Sequence, residues 1–430
     1  MYWWHQAAWL TRRGWLRRFG LITTNSLRQT FNRRVLDLHM QWEDRGPPPR
    51  YAPGMVPPGE VMVPLAPPLS IAFAIPDHPW VDSTDGADVR IAMTVAECDG
   101  QSGVVAVSVE ERPSIDGEVE VRLASKRGEI HSDLMVGARV AGAGPLAANQ
   151  GLCFQGMNLV GKGFRLDAGE VVDMGYDRSN LPTVLRRYGN ARDFIQGRLG
   201  AYVVDFFGLT EAEARSAHPR LYQHLVDRVK PERSQNNRRS YRDRWWIFGE
   251  PRPAMRRAWT GLSRIVVTAE TAKHRVFAFE STPLCVDHKL YAICSDDLAV
   301  LGVLSSRVHA IWALRTGGRM GVGNDPVFNN TRCFLTFPFP VLSVELHARV
   351  AGVAHQIEDH RRRQQSATDT LTLTAIYNVL EQQRRNSPLT EKEKSIHEKG
   401  LVSVLRELHD ELDRAVFAAY GWNDLADKLV

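Results

Sequence analysis

The sequence predicts a mixed fold of the α/β and α+β classes, with two or three domains and a helical C-terminal region. Three observations support this prediction. The first forty residues have a helix–strand–helix pattern, in which the apolar run FGLIT (19–23) separates two helical faces. Short alternating patterns such as VVAVSVEE (104–111) are typical of strands and dominate the middle of the chain. Between Leu401 and Val416, apolar residues recur at helical spacing.

Composition favours a folded, water-soluble protein. Of 430 residues, 43% are hydrophobic and 24% are charged, which excludes wholesale disorder and fibrous classes. No apolar run approaches the ~20 residues needed to cross a bilayer, and the first residues lack the features of a signal peptide, so we expect a cytoplasmic protein without membrane contact. The five cysteines stand far apart without a C-x-x-C pair, which indicates neither disulfides nor structural zinc.

Positive charge is concentrated in two regions. The net charge is only +5, yet residues 1–50 carry nine arginines against three acidic residues. Residues 227–264 carry eleven lysines and arginines against four acidic residues, so the rest of the chain is acidic. Two basic regions on an acidic body favour a polyanionic partner such as nucleic acid. Two solvated, arginine-rich faces remain the alternative.

The N-terminal region predicts part of a larger sheet. One helix and one buried strand cannot fold alone, because the strand needs neighbours to pair with, so we expect Met1 to lie within a domain. Residues 43–68 contain nine of the 23 prolines and predict a flexible or polyproline-like loop. Two strand patterns follow at 69–75 and 89–96, and we expect His78 and Trp80 to lie on the polar surface loop that joins them.

The C-terminal half predicts strands and then helices. The strand patterns RIVVTAE (264–270) and RVFAFE (275–280) precede an apolar stretch that predicts one continuous helix over residues 298–314. Further on, Thr390 and Glu393 form a capping-box pattern. The acidic residues of the final helix, including Asp413, are expected to face solvent rather than a metal ion.

Seven strings of the sequence carry a resemblance to a known family. In order, they are WLRRFGLITTNSLRQTFNRRVL (15–36), FAIPDHPWVD (73–82), VRIAMTVAE (89–97), FQGMNLVGKGF (154–164), YRDRWWIFGEPRPAMR (241–256), NDPVFNNTRCFLTFPFP (324–340) and LHDELDRAVFAAYGW (408–422). Together they resemble the C-terminal part of DNA methyltransferases that are fused to a target-recognition domain. This family comprises Type II restriction-modification enzymes with both functions in one chain and the related methylases of DISARM phage-defence systems. The resemblance covers essentially the whole chain.

The resemblance implies a specific chemistry. Such enzymes transfer a methyl group from S-adenosylmethionine to N6 of an adenine that is flipped out of duplex DNA. They bind the cofactor with a glycine-rich turn after a strand and orient the base with an Asn/Asp/Ser-Pro-Pro-aromatic tetrapeptide. No Pro-Pro pair of this chain fits that tetrapeptide, and the glycine-rich stretch 317–323 follows a helix pattern instead of a strand. We therefore assign no catalytic and no metal-binding residues, and expect the chain alone to be inactive.

The resemblance also divides the chain. Residues 1–110 are expected to form the C-terminal part of a methyltransferase domain, with only the late strands of a Rossmann-like sheet. Residues 111–340 are expected to form a β-rich target-recognition domain that binds DNA, and residues 341–430 a helical region. In this scheme, strand 19–23 is an inner strand of the methyltransferase sheet.

Three groups of residues are candidates for DNA contact. By resemblance, Phe73, His78 or Trp80 could stack on the flipped base, although the sequence favours a core role for Phe73 and a loop-anchoring role for Trp80. Arginines that clamp phosphates and side chains that read base edges occur together within residues 233–244 and again within 315–330, where a glycine- and asparagine-rich turn is the alternative. The residues are Arg233, Asn236, Asn237, Arg238, Arg239, Tyr241, Arg242 and Arg244 in the first group, and Arg315, Arg319, Asn324, Asn329 and Asn330 in the second.

Two functions follow from these features. The first is the C-terminal portion of a site-specific DNA adenine-N6 methyltransferase of a restriction-modification or phage-defence system, acting mainly in recognition of double-stranded DNA. The second is a non-catalytic specificity subunit, which a separately encoded catalytic half or other defence-system proteins would complete. An RNA-binding protein of unrelated fold is a third and weaker possibility.

Overall fold

The computed structural model describes residues 1–41, 67–80, 89–98, 100, 102–113, 119–177, 179–197, 200–282, 284–320, 325–368 and 371–429. They form two compact units. The first spans Met1–Gly142, and the second spans Ala143–Met320 and Asp325–Val430. Nearly all of the proline-rich stretch 43–68 lies outside the described residues.

The first unit contains a five-stranded sheet with two helices, and its opening helix–strand–helix pattern is confirmed. The strand order is β1-β3-β2-β4-β5; β3 is antiparallel to both β1 and β2, whereas β2 and β4 are parallel. Trp4, which is 1% exposed, lies in the core and donates a hydrogen bond from Nε1 to Thr94 Oγ1 at 3.2 Å. The elements are α1 Tyr2–Arg12, β1 Arg18–Thr24, α2 Thr30–Met40, β2 Ser70–Trp80, β3 Val89–Glu97, β4 Gly103–Pro113 and β5 Val119–Gly128.

Three predictions for this unit need correction. Strand β1 is not buried on both faces: within the described residues it pairs only with β3, and Ile22 is 58% exposed. His78 and Trp80 do not lie on a loop, because β2 continues past a bulge and pairs Trp80 with Val89. The expected domain boundary at residue 110 falls within β4, and the β4–β5 hairpin belongs to the same sheet as β2.

The first half of the second unit contains two four-stranded sheets with short helices. The strand orders are β11-β10-β13-β6 and β12-β8-β9-β7. Strand β10 coincides with the predicted RIVVTA segment, and five of its six residues are buried. The elements are β6 Cys153–Gln155, β7 Arg165–Leu166, α3 Ala168–Asp173, β8 Leu185–Gly189, α4 Ala191–Gln196, β9 Ala201–Val204, α5 Glu211–Ala217, α6 Pro219–Arg228, α7 Lys230–Ser234, α8 Arg239–Asp243, α9 Pro253–Ala258, β10 Arg264–Ala269, β11 Ala278–Ser281, β12 Leu284–Val286 and β13 Leu290–Ile293.

The second half of this unit is helical apart from one hairpin, as predicted. Its elements are α10 Leu298–Ser305, α11 Arg307–Thr316, the hairpin strands β14 Gly318–Met320 and β15 Asp325–Val327, a π-helical turn at Asn330–Phe334, α12 Val344–Ala367, α13 Leu373–Arg384, α14 Glu391–Gly400, α15 Val402–Ala419 and α16 Asn423–Leu429. The Thr390–Glu393 capping box is confirmed at the start of α14. Among the described residues, no single helix is long and apolar enough to cross a membrane, although α10 and α11 pass that test together as a pair bent by 61°.

That bend breaks the continuous helix predicted over residues 298–314. Ser306 has an extended backbone and caps α11, because its hydroxyl accepts a hydrogen bond from the His309 amide. A carboxylate from α15 completes the cap: Asp413 Oδ1 accepts the Arg307 amide hydrogen at 2.6 Å. Asp413 is therefore not solvated as expected but 1% exposed, and burial raises its pKa to about 6.

Close packing between α10 and α12 requires glycine at position 302. A Cβ atom there would lie 2.6 Å from Val350 Cγ1 and 3.1 Å from the Val350 carbonyl oxygen. We expect Gly302→Ala to lower the free energy of unfolding by up to about 2 kcal/mol, because overpacking costs roughly 1–3 kcal/mol and the better helix propensity of alanine recovers about 1. Urea denaturation measures this change.

Gly352 on α12 is the matched control. A Cβ atom at that position meets no atom within 4 Å. Gly352→Ala should therefore raise the free energy of unfolding by about 0.5–1 kcal/mol. Equal effects at the two glycines would contradict the packing argument.

Candidate nucleic-acid interface

The arginine-rich segment predicted to bind DNA lies on α7, α8 and the turn between them, and its first member is buried. Arg233 is 1% exposed, and one of its terminal nitrogens donates to the carbonyl oxygens of Leu159 at 2.8 Å and Ile247 at 3.1 Å. Its guanidinium also lies 5.5 Å from the ring centre of Phe164. Burial lowers the pKa of Arg233. The prediction that Arg233 clamps a phosphate is therefore wrong, since it holds three parts of the domain together.

The remaining arginines of the segment are exposed, and we call Arg238, Arg239, Arg242 and Arg244 the arginine ridge. Arg242 donates to the carbonyl oxygens of Asn236 at 2.6 Å and Asn237 at 3.2 Å. These hydrogen bonds stabilise the turn between α7 and α8, but they do not neutralise the positive charge of Arg242. Arg239 pairs with Asp243 at 3.0 Å, the one acidic residue between positions 238 and 244. The ridge therefore has an excess of positive charge.

The other predicted members of the segment differ in their availability. Asn237 is exposed, whereas Asn236 is half-buried and its Oδ1 accepts the Arg238 amide hydrogen at 2.9 Å. Tyr241 is 9% exposed, and its hydroxyl accepts a hydrogen bond from Arg238 at 2.8 Å. A direct DNA contact by the Tyr241 ring is therefore excluded in this conformation, because the ring belongs to the core.

The second predicted cluster consists mostly of residues that hold the backbone. Asn329 Oδ1 accepts the Thr331 amide hydrogen at 3.0 Å and caps the π-helical turn. Asn330 Nδ2 donates to the Cys153 carbonyl oxygen at 3.4 Å. For Asn329 and Asn330, the structure therefore favours a role in stabilising the turn over a role in contacting DNA. Arg315, on α11, and Arg319, on β14, are both partly exposed, and Asn324 lies outside the described residues.

A network of ion pairs lies in the first unit, where β1 and β2 end and β3 begins. Asp77 accepts hydrogen bonds from Asn25 at 3.1 Å and from Arg90 at 2.8 Å. Arg90 also donates to Glu111 at 2.6 Å, and this hydrogen bond is the largest cause of its raised pKa. These contacts tie the end of β2 to the start of β3 and to β4.

The three predicted base-stacking residues are not brought together. Phe73 is half-buried in the middle of β2 and pairs with Val95 and Val104. His78 lies within hydrogen-bonding distance of the Pro79 carbonyl oxygen, 2.7 Å from its Nδ1. Trp80 ends the strand with 44% of its surface exposed. Of the three, Trp80 has the ring most open to a stacking partner.

Comparison with known proteins gives a match within the second unit. Residues 144–341 match the family model described as "MmeI, target recognition domain". This segment is therefore similar to the target recognition domain of MmeI. The predicted resemblance to restriction-modification proteins with such a domain is thereby confirmed. The arginine ridge and the described residues of the second cluster all lie within the matched segment.

Solved structures extend the likeness in fold beyond that domain. The chain is similar to the Type IIL restriction-modification enzyme MmeI, solved in complex with DNA, with 17% sequence identity and a TM-score of 0.66 over 94% of this chain. It spans 47% of the MmeI chain. The type IIG restriction endonuclease BpuSI matches with 9% identity over 94% of this chain and 48% of its own, but a TM-score of 0.31 supports no argument. No curated protein matches the chain in sequence.

The described residues do not fit the S-adenosylmethionine site of a methyltransferase. The glycine-rich stretch 317–323 follows α11 and enters strand β14, and its residues 321–323 lie outside the described part. Packing explains Gly317, because a Cβ atom there would lie 2.5 Å from the Val327 carbonyl oxygen and 2.6 Å from that of Ala313. The turn after β1, Asn25–Arg28, contains no glycine.

The burial of Arg233 could have been predicted from the spacing of apolar residues before it, although the number of charges in the segment does not show it. Leu221, Leu225, Val229 and Arg233 recur at intervals of four residues, which places them along one face of consecutive helices. The first three are fully buried, and the aliphatic stem of arginine continues that row while its guanidinium reaches carbonyl oxygens.

We expect Arg233→Met to lower the free energy of unfolding by about 2–3 kcal/mol, since two hydrogen bonds from its buried guanidinium to backbone carbonyl oxygens would be lost. Thermal and urea denaturation measure this loss. Arg239→Met, at an exposed position on α8, is the matched control and should change the stability by less than about 0.5 kcal/mol. A stable Arg233→Met protein would refute the structural role of this residue.

Proposed function

We propose that the chain is the target-recognition portion of a site-specific DNA adenine-N6 methyltransferase in a restriction-modification or phage-defence system. The observation that carries this proposal is the exposed arginine ridge within a target recognition domain of the MmeI type. The similar enzyme MmeI was solved in complex with DNA, which supports DNA as the partner of this chain.

The ridge binds the sugar-phosphate backbone in this proposal. Arginine forms bidentate hydrogen bonds with phosphate oxygens, and four exposed arginines within seven residues can follow consecutive phosphates. Lys230 adds charge beside the ridge, where its ammonium lies 4.8 Å from the ring centre of the buried Trp245. Asn237, with an exposed side chain, is suited to hydrogen-bond an adenine edge in the major groove. Phosphate contacts set the register, and base contacts supply the specificity.

The first unit supports the methyltransferase part of the proposal. In this proposal, β3, which is antiparallel to both β1 and β2, is one of the late strands of the methyltransferase sheet. Trp80, at the carboxyl end of β2, stacks on the flipped adenine in this proposal, and the Asp77–Arg90 ion pair holds the strand end in place. S-adenosylmethionine supplies the methyl group in such enzymes, but no step of its chemistry is assigned to the described residues.

Arg239→Gln combined with Arg244→Gln tests the ridge. Each phosphate contact contributes about 0.9 to the slope of log K against log salt, so we expect the double variant to bind duplex DNA more weakly and with a slope reduced by about 1.8. Fluorescence anisotropy at several salt concentrations measures both quantities. The control is Arg349→Gln with Arg363→Gln, which removes the same charge from exposed positions on α12. Equal losses in the two double variants would contradict a specific role of the ridge.

The second candidate function is a specificity subunit completed by a separately encoded catalytic half. The edge of β1 that faces away from β3 favours this second function. Within the described residues β1 has one neighbour, and the nearby side chains of Trp3, Trp15 and Ile22 are 73%, 52% and 58% exposed. An unpaired strand edge with exposed apolar residues is suited to pair with a strand of another polypeptide.

We expect the purified chain to transfer no methyl group from labelled S-adenosylmethionine to DNA, because its sequence has no catalytic tetrapeptide. Methyl transfer by the chain alone would contradict this assignment. If a catalytic half completes the protein, adding that polypeptide should restore transfer, and Ile22→Lys should weaken the effect. Leu123→Lys is the matched control, since Leu123 is an exposed residue on β5 at the opposite edge of the sheet.

A further inference from the structure

A cavity of about 370 Å³ lies in the target recognition domain, directly beside the arginine ridge. The loop between β9 and α5 forms one wall with Phe207 and Leu209, and the segment that follows α8 forms the other with Trp246 and Phe248. This volume lies within the range of roughly 300–1,000 Å³ that is typical of small-ligand sites. Neither the family match nor the proposed function assigns a ligand to it.

The aromatic walls of the cavity are fixed by contacts with the rest of the domain. The Trp246 indole nitrogen donates to the Leu209 carbonyl oxygen at 3.1 Å, which ties the two walls together. The Arg256 guanidinium lies 4.5 Å from the ring centre of Phe207. Preorganised rings of this kind bind a flat ligand without first losing their own conformational freedom.

The polar groups of the cavity indicate the charge of its ligand. Among the described residues, no aspartate or glutamate lines it, whereas Arg244 of the ridge and Ser240 of α8 do. Both residues are exposed, so their guanidinium and hydroxyl groups are accessible at the cavity. An apolar, aromatic cavity with one cation at its mouth is complementary to a ligand that combines a flat ring with a negative group.

We propose that this cavity binds a single unstacked nucleotide of the bound DNA, with the base between the aromatic walls and the phosphate on Arg244. This inference rests on the proposed function, because the ridge must first hold the DNA backbone. Bases inside a duplex expose only their edges, so the occupant is a nucleotide that has left the stack. The recognition domain thereby senses local opening of the duplex in addition to the sequence in its grooves.

The test compares a perfect duplex with the same duplex carrying one unpaired adenosine, which is already free to leave the stack. We expect the wild-type chain to bind the bulged duplex roughly tenfold more tightly, in line with the strength of base stacking on aromatic rings. Ser240→Phe fills the cavity and should bring the ratio of the two affinities close to one. Ser216→Phe, at an exposed position on α5 away from the cavity, should keep the wild-type ratio.

A second measurement separates this cavity from Trp80. When 2-aminopurine replaces the unpaired adenosine, stacking on Trp246 or Phe207 should quench its fluorescence when the wild-type protein binds, and Ser240→Phe should remove this quenching whereas Trp80→Ala should not. Equal affinities for the two duplexes, with no change in fluorescence, overturn the inference and leave the proposed function intact. Absence of binding to both duplexes overturns the proposed function and this inference together.

The same chemistry could serve a free nucleotide. A calorimetric titration with deoxyadenosine monophosphate distinguishes this source from DNA. The assignment to DNA is overturned if the wild-type chain binds the free nucleotide, Ser240→Phe abolishes this binding, and the wild-type chain shows no preference for the bulged duplex.

Discussion

The buried guanidinium of Arg233 is the constraint on which the proposed interface depends. It connects the end of α7 to the backbone at Leu159 and Ile247, which lie far apart in the chain. This connection fixes the start of the segment that carries the exposed arginines. A charged group in the interior is tolerated because carbonyl oxygens accept hydrogen bonds from its two terminal nitrogens and aromatic rings cover its faces. Arg233 is therefore a structural residue, whereas the other arginines of the segment remain exposed to solvent.

Elements with local signals could be predicted from the sequence. The helix–strand–helix start, strand β10 and the Thr390 capping box each follow from periodicity or from a cap within a few residues. The break at Ser306 could not be predicted in this way, because the carboxylate that completes the α11 cap comes from Asp413, more than a hundred positions further along the chain. Strand β2 likewise continues beyond its predicted end because β3 provides hydrogen-bonding partners up to Trp80.

The sequence locates the basic segment of the candidate site, but it does not show which residues of that segment serve the fold. Charge counting finds a basic segment without showing which side chains are turned inward, and Arg233, Tyr241, Asn329 and Asn330 all proved to serve the fold. A polar side chain in a turn has two possible partners, the neighbouring backbone and an external ligand, and the sequence is the same in both cases. The cavity beside the ridge left no trace in the sequence, since its walls come from two separate loops.

The cap that Asp413 provides links the C-terminal helices to the hairpin of β14 and β15. Helix α11 begins at a carboxylate of α15 and ends at the hairpin that carries Arg319, so α15 helps to set the position of that hairpin. If Arg319 contacts DNA as proposed, the tail supports a DNA-facing element although it contains none of the ridge residues. A substitution at Asp413 would then change the selected DNA site without touching any base.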